Sequence, residues 1–95
     1  MNSSQKEIIY GPKAVDQIRE MDPQIRSQVG TAVKRLGKTP DLGKSLKGKR
    51  NLYSYRFGTP GGEHRAIYGI KEESILVVLV GSREEIYDIL QRSNY

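Results

Sequence analysis

The sequence contains no cysteine and only one histidine. Without cysteine there is no disulfide framework, no iron–sulfur cluster and no thiol nucleophile. A single histidine also argues against a zinc site built from protein side chains. We therefore expect a protein that holds no metal and needs no cofactor.

Long apolar segments are also missing. The longest apolar run, residues 75–80, has six residues, whereas a membrane-spanning helix needs about 20. The first five residues, MNSSQ, lack the apolar segment of a signal peptide. These features predict a soluble, cytoplasmic protein that makes no membrane contact.

The chain has 95 residues and a mass of 10.7 kDa. A chain of this size builds one hydrophobic core. Hydrophobic residues make up 36% and charged residues 28%, with ten glycines and four prolines, which excludes collagen, coiled-coil and low-complexity classes. We expect one domain that covers residues 1–95.

Positive charge is concentrated in one region. The formal net charge is +5, and between residues 34 and 56 a single acid, Asp41, faces eight bases: Lys34, Arg35, Lys38, Lys44, Lys47, Lys49, Arg50 and Arg56. Such a footprint is typical of a surface that binds a polyphosphate. A solvated loop is the alternative, and charge alone does not separate the two.

The first half of the chain predicts a strand followed by a helical hairpin. Residues 7–10 are short and rich in β-branched side chains, and Gly11-Pro12 then stops the strand and opens a helix. Asp22-Pro23 is a second helix start. Apolar residues recur at helical spacing up to Leu36, which places Gly37 just after the second helix.

The second half predicts three strands and a helix. Tyr53, Tyr55 and Phe57 alternate with polar residues, which indicates a strand with its aromatic face turned inward. A wide turn over residues 58–62 leads to a second strand, and the apolar run 75–80 indicates a central strand covered on both sides. Ser82 and Glu85 form a capping box that starts the last helix.

These elements define an α+β domain with the order β-α-α-β-β-β-α. The later strands follow one another through short turns, which favours a mainly antiparallel sheet. The helical hairpin is expected to cover one face of that sheet.

Four segments carry a family resemblance. Residues 46–48 (LKG), 53–57 (YSYRF), 64–68 (HRAIY) and 80–87 (VGSREEIY) resemble, in this order, motifs of the RelE/ParE superfamily of type II toxin–antitoxin toxins. The resemblance spans nearly the whole chain, and the element order also matches. It implies the microbial-ribonuclease-like RelE/ParE fold.

The resemblance leaves three functions open. In the RelE branch it implies a ribosome-dependent endoribonuclease that cuts mRNA and inhibits translation, with a cognate antitoxin, the ribosome and mRNA as partners, in a toxin–antitoxin hetero-oligomer. ParE-type members share the fold but inhibit DNA gyrase. The third alternative is a catalytically inactive member that acts as a binding subunit. The fold alone does not choose among them.

Four residues resemble the family's catalytic residues. Arg56, Arg65 and Arg83 fall at positions similar to its basic catalytic residues, and Tyr87 matches its active tyrosine. We expect the three guanidinium groups to converge on one anion pocket and to stabilise the phosphate as charge builds. The structural alternative is two solvent-facing strand arginines, a surface arginine at a helix start and a core tyrosine.

Further residues are candidates for RNA binding: Lys47, Lys49, Arg50, Ser54 and His64. The lysines would contact phosphates. No general base is identified, because arginine is almost never deprotonated. Since neighbours on a regular strand face opposite ways, His64 joins Arg65 in one cleft only if a bulge intervenes. Otherwise His64 is expected to be a solvent-exposed histidine at the hairpin edge.

Overall fold

The computed structural model describes residues 5–92. Its elements are β1 (Glu7–Tyr10), α1 (Pro12–Arg19), α2 (Pro23–Lys38), a 3₁₀ turn (Pro40–Leu42), β2 (Lys44–Ser45), β3 (Tyr53–Thr59), β4 (Gly62–Ile70), β5 (Ser74–Ser82) and α3 (Arg83–Arg92). The predicted α+β order is confirmed, with the short strand β2 added. No helix in this part of the chain is long and apolar enough to cross a membrane. Residues 1–4, which belong to the N-terminal segment predicted to lack the apolar part of a signal peptide, lie outside the described residues.

The strands form one sheet in the order β1-β5-β4-β3-β2. β1 lies parallel to β5, and the β5–β4, β4–β3 and β3–β2 pairs are antiparallel. A parallel pair needs a crossover connection, and the chain between β1 and β5 contains both hairpin helices and the rest of the sheet. The expected mainly antiparallel sheet is therefore confirmed.

The helical hairpin of α1 and α2 covers one face of the sheet, which we call the hairpin face. The aromatic residues of β3 point to this face, as their spacing predicted. Burying each large apolar side chain contributes about 1.5–3 kcal/mol. The buried residues of this cluster are Ala14, Val29, Ala32, Val33, Leu36, Phe57, Ala66, Tyr68, Ile75, Val77 and Val80.

The opposite face of the sheet carries α3, and we call it the α3 face. A smaller core lies here, formed by Ile67 of β4, Leu79 of β5 and Ile86 of α3. The segment between α2 and β3, residues 39–52, is called the basic loop, and its residues Leu46 and Leu52 pack against the same core. The basic loop is therefore tied to α3 through shared apolar contacts.

A bulge in β5 decides which of its residues reach each face. Val77 and Leu79 pair with adjacent residues of β4, so Val78 between them has no partner on that strand. Because side chains alternate along a strand, one extra residue reverses the alternation beyond it. Val77 and Val80, three residues apart, therefore both lie in the hairpin-face core, whereas Leu79 packs under α3.

Gly37 was predicted to follow α2, and this is wrong. The helix includes Gly37 and continues to Lys38. A Cβ atom at Gly37 would lie 2.8 Å from the carbonyl oxygen of Lys6. The carbonyl of Gly37 also accepts a hydrogen bond of 2.8 Å from the Lys6 amide. The glycine allows this close crossing of the chain that leads into β1.

The wide turn predicted over residues 58–62 is also wrong. Thr59 pairs with Gly62, so only Pro60 and Gly61 lie between β3 and β4. The Thr59 hydroxyl accepts a hydrogen bond from the Gly61 amide and donates one to the Gly62 carbonyl, both 3.0 Å long. Gly62 has a φ of 110°, which a residue with a side chain rarely adopts. The threonine and glycine together permit a tight turn.

Candidate functional site

The strands and α3 bring the three candidate arginines to one face. Arg56 and Arg65 are direct partners across β3 and β4. Their neighbours Tyr55 and Ala66 pack in the hairpin-face core, so the two arginines point to the α3 face. Arg83 is the first residue of α3 and follows β5 directly.

Tyr87 joins two of these arginines. It lies four residues after Arg83, about one helical turn along the same face of α3. The Cζ atoms of Arg65 and Arg83 each lie 5.6 Å from the centroid of the Tyr87 ring, within the usual range of cation–π contacts. Tyr87 is 49% exposed. The two guanidinium groups therefore flank an aromatic ring that solvent can reach.

A cavity of about 360 Å³ opens beside this ring, and we call it the tyrosine pocket. Its lining includes apolar residues, Leu46, Ile67, Ile86 and Leu90. It also includes polar and basic residues, Lys47, Lys49, Ser54, Arg65 and Arg83. Apolar and cationic groups in one cavity suit a ligand that combines a planar base with a phosphate.

A second cavity of about 390 Å³ adjoins the first, and we call it the arginine groove. It is lined by Lys44, Ser45, Arg56 and Tyr55, and it shares Leu46, Ser54 and Arg65 with the tyrosine pocket. Arg56 does not line the tyrosine pocket. Neither cavity contains all three arginines, so the expected single anion pocket is divided in two, with Arg65 at the junction. We call the two adjoining cavities together the basic cleft.

Two candidate residues lie outside this cleft. Arg50 is exposed in the basic loop and lines neither cavity. His64 is only 6% exposed and lies on the hairpin face, with its ring centroid 6.3 Å from that of Phe57. The expected solvent-exposed histidine is therefore wrong. The pairing with β5 is regular at His64 and Arg65, so the two side chains face opposite ways.

The start of α3 explains how Arg83 is tolerated in the first helical turn. The predicted capping box is present: the Ser82 amide donates to Glu85 Oε1 at 2.9 Å, and the Glu85 amide donates to Ser82 Oγ at 3.2 Å. A cation here opposes the helix dipole. The Tyr87 ring supplies one compensating partner, and Glu84 and Glu85 supply negative charge in the same turn.

The structure adds residues that sequence reasoning missed. Arg65 Nε donates to Glu63 Oε2 at 3.1 Å, and Nη2 forms an ion pair with the same oxygen at 3.0 Å. Lys44 lines the arginine groove, and Gln91 lines the tyrosine pocket one turn after Tyr87. The spacing of two between Glu63 and Arg65 was the available signal, because strand residues two apart share a face.

Tyr68 and Gly43 hold the start of the basic loop against the sheet. The Tyr68 side chain is fully buried in β4, and its hydroxyl donates to the Pro40 carbonyl at 2.6 Å and accepts from the Gly43 amide at 2.9 Å. A Cβ atom at Gly43 would lie 2.6 Å from that hydroxyl and 2.8 Å from the Ser54 carbonyl. Only glycine fits here without displacing the loop.

We expect Gly43→Ala to lower the free energy of unfolding by about 1–3 kcal/mol, because the added methyl group overpacks this contact. Urea denaturation measures the change. Gly30→Ala is the matched control: a Cβ atom at Gly30, inside α2, meets nothing within 4 Å, so the same change should stabilise by about 0.5–1 kcal/mol. Equal effects of the two substitutions would contradict the argument.

Two tyrosines make stability fall at alkaline pH. Burial raises the pKa of Tyr68 above its ordinary 10.0, an effect that the negative charge of Asp41 reinforces and the Gly43 hydrogen bond opposes. Burial also raises the pKa of Tyr10. The unfolded chain therefore loses these protons first, so stability should decline above about pH 10. Urea denaturation across this range checks it, and Tyr68→Phe should weaken the decline.

None of the described residues forms a group of three or more histidine, cysteine, aspartate or glutamate side chains that could hold a metal ion. The polar groups gathered at the cleft are guanidinium, ammonium, hydroxyl and amide groups. Such groups donate hydrogen bonds to anions. The cleft therefore suits an anionic ligand.

Comparisons with known proteins agree with this geometry. A family model described as the ParE toxin of the type II toxin–antitoxin system parDE matches residues 8–87. The matched segment includes both strands of the arginine pair and α3 as far as Tyr87. No protein with a curated description matches significantly.

Solved structures share the fold. A mutant of the E. coli toxin RelE in the free state is 18% identical, with a TM-score of 0.72 over 95% of this chain and 99% of that chain. The RelBE2 toxin–antitoxin complex from Mycobacterium tuberculosis is 22% identical, with a TM-score of 0.71 over 83% of this chain and 99% of that chain. The RelB–RelE complex from Methanococcus jannaschii is 20% identical, with a TM-score of 0.64 over 84% of this chain and 95% of that chain. These matches show a common architecture.

Proposed function

We propose that this chain, which belongs to the ParE toxin family within the RelE/ParE superfamily and is a toxin of a type II toxin–antitoxin module, cuts mRNA on the ribosome. It would act in the cytoplasm, where it meets translating ribosomes. The observation that carries the proposal is the pair of guanidinium groups in contact with the exposed Tyr87 ring, beside a pocket lined by both apolar and basic residues.

Each part of the cleft has a role in this proposal. Tyr87 stacks on a base of the mRNA, and the apolar residues that line the tyrosine pocket pack against the face of that base. Arg65 and Arg83 bind the phosphate at the cleavage position. Arg56, Lys44, Lys47 and Lys49 bind neighbouring phosphates of the same strand, which fixes the strand without breaking it.

The reaction is an attack of the ribose 2′ oxygen on the adjacent phosphorus. The 2′ hydroxyl loses its proton, the bond from phosphorus to the 5′ oxygen breaks, and the 5′ oxygen gains a proton, leaving a cyclic phosphate. Negative charge builds on the phosphate oxygens during this step. Arg65 and Arg83 donate hydrogen bonds that strengthen as that charge grows.

Dependence on the ribosome follows from the groups in the cleft. Its basic side chains are arginines, which do not act as bases, and lysines, whose ammonium groups only donate hydrogen bonds. Holding the 2′ oxygen in line with the breaking bond can itself contribute several kcal/mol. We propose that the ribosome supplies this alignment and that the toxin supplies charge stabilisation and stacking.

Toeprinting of an mRNA translated in a purified system tests the proposal. Added toxin should produce cuts at fixed positions within codons, and only while ribosomes are translating. The same mRNA without ribosomes is the control and should stay intact. Growth inhibition in the absence of codon-positioned cuts would overturn the proposal.

Inhibition of DNA gyrase is the second candidate, because the matching family model is that of the ParE toxin and ParE-type toxins inhibit gyrase. In that case the basic cleft would bind a gyrase surface or DNA. A supercoiling assay with purified gyrase separates the two functions. If the protein produces no cuts and does not inhibit gyrase, the third possibility is favoured, an inactive member that serves as a binding subunit.

We also propose where a cognate antitoxin binds. The toxin–antitoxin complexes that share this fold each contain a partner chain. A groove between α1 and α2 is lined by the apolar side chains of Val15, Ile18 and Val29, with Arg19 and Arg26 beside them. An amphipathic segment with acidic flanks would match this pattern. If an adjacent reading frame encodes a small acidic protein, its co-expression with this chain should yield a stable complex.

A further inference from the structure

Glu63 lies beside the basic cleft, on the same side of β4 as Arg65. Strand residues two apart share a face, so both side chains project toward α3. The residue opposite Glu63 on β3 is Gly58, and a Cβ atom placed there would meet nothing within 4 Å. With no side chain opposite it, the carboxylate lies along its own strand and reaches Arg65.

The contact uses one particular edge of the guanidinium group. A single carboxylate oxygen, Glu63 Oε2, accepts a hydrogen bond from Nε at 3.1 Å and lies 3.0 Å from Nη2 as an ion pair. The opposite edge, formed by Nη1 and the outer side of Nη2, stays available for a second oxyanion. The Tyr87 ring lies against the same guanidinium at 5.6 Å. Two contacts in different directions therefore hold the Arg65 side chain.

Glu63 is the acid that contacts Arg65, whereas the acids of α3 line a further cavity that includes Tyr87. No aspartate or glutamate is among the described residues that line the tyrosine pocket or the arginine groove. Arg65 lies opposite Arg56 in the sheet and shares the Tyr87 ring with Arg83. Without a carboxylate, repulsion from these like charges would drive Arg65 toward other rotamers.

We propose that Glu63 is a positioning residue for Arg65: it holds the Nε edge so that the Nη edge faces the phosphate at the cleavage position. This inference rests on the proposed RNA cleavage. Glu63 itself touches neither RNA nor the reacting atoms. Its effect comes from fixing a long side chain that otherwise loses considerable rotamer freedom whenever substrate binds.

This role predicts a loss in kcat without a rise in KM. Removing Glu63 takes a negative charge away from a site that binds a polyanion, so KM for the mRNA should fall or stay unchanged. Because Arg65 is then poorly oriented in the transition state, kcat should fall between about tenfold and a hundredfold. A carboxylate that merely lies near the cleft would change KM and leave kcat unaffected.

The experiment compares Glu63→Ala, Glu63→Gln and the control Glu72→Gln in multiple-turnover cleavage of mRNA on stalled ribosomes, which gives kcat and KM. Glutamine keeps an oxygen that accepts from Arg65, so it should retain more of kcat than alanine. Glu72→Gln removes the same charge from the turn between β4 and β5 and should leave kcat at the wild-type level. Equal kcat in all three variants would overturn the proposal.

A second measurement separates this proposal from the cleavage activity. In NMR spectra of the free protein, the Arg65 Nε–H resonance, assigned with Arg65→Lys, should exchange slowly with water. Glu63→Ala should abolish that protection and Glu72→Gln should not. Unchanged protection in Glu63→Ala refutes positioning whatever the activity. If the wild-type protein cuts no mRNA yet protection is lost, the cleavage proposal fails and the orientation of Arg65 by Glu63 stands.

Discussion

Replacing both Arg65 and Arg83 by alanine is expected to lower mRNA cleavage by about a thousandfold or more and to abolish growth inhibition on expression. Removing one preorganised donor to a developing negative charge typically costs a factor of about 10²–10³. These two residues flank the same ring, each 5.6 Å from its centroid. Their loss removes the charge and frees the ring that they hold.

The two single substitutions should not add up to the double one. Arg65 and Arg83 share Tyr87 as a contact, so removing either one disturbs the geometry of the other. We expect each single variant to lose most of the cleavage activity. The double variant should then lose little more activity than either single variant. Cleavage rates of the four proteins form a double-mutant cycle that measures this coupling.

A matched control removes two arginines from elsewhere. Arg19 and Arg26 lie on the helical hairpin, across the sheet from the cleft. Changing both to alanine alters the net charge of the protein by the same amount, so it accounts for non-specific attraction to RNA. This control should cut at a rate close to that of the wild type. A folded Arg65/Arg83 double variant that still cuts at the wild-type rate would refute the assigned roles.

The parts of the fold that follow from local chemistry were predictable from the sequence. The alternation of Tyr53, Tyr55 and Phe57 with polar residues correctly assigned the inward face of β3. The spacing of Ser82 and Glu85 correctly located the start of α3. Both signals depend on residues at most four apart, where strand or helix geometry alone determines the relative directions of side chains.

Other features depend on contacts distant in sequence. The strand at residues 75–80 is apolar at every position, so its pattern gave no sign of the bulge at Val78. His64 was predicted to be exposed because its neighbours suggested a hairpin edge, but the hairpin helices cover its face of the sheet. Gly43 lies against Tyr68, 25 positions later, and no local rule indicates that contact.

The candidate site was only partly predictable, because its shape also depends on contacts between residues distant in sequence. Family resemblance pointed to Arg56, Arg65 and Arg83, and the pairing of β3 with β4 brings the first two together. The division of the cleft into two cavities, with Arg65 between them, depends on how Leu46 and Ser54 pack. Packing of this kind depends on the whole sheet and on the path of the basic loop.

Replacing Tyr68 is expected to have the largest effect on stability. Its ring is fully buried and stacks on Tyr53 with centroids 5.6 Å apart, and its hydroxyl bonds to Pro40 and Gly43. Truncating a buried aromatic residue to alanine costs about 3–5 kcal/mol. Since domains are stable by only about 5–15 kcal/mol, Tyr68→Ala should be largely or partly unfolded at 37 °C.

Tyr68→Phe separates the ring from the hydroxyl. It keeps the stacking but leaves the Gly43 amide and the Pro40 carbonyl without their partner, which should cost about 1–3 kcal/mol. Tyr53→Phe is the control, because the Tyr53 hydroxyl has no hydrogen bond within residues 5–92, and it should stay within about 0.5 kcal/mol of the wild type. Thermal and urea unfolding measure all three variants. If the two phenylalanine variants are equally stable, the Tyr68 hydroxyl does not anchor the basic loop. If only Tyr68→Phe is less stable and its affinity for RNA also falls, the hydroxyl holds the loop lysines at the cleft.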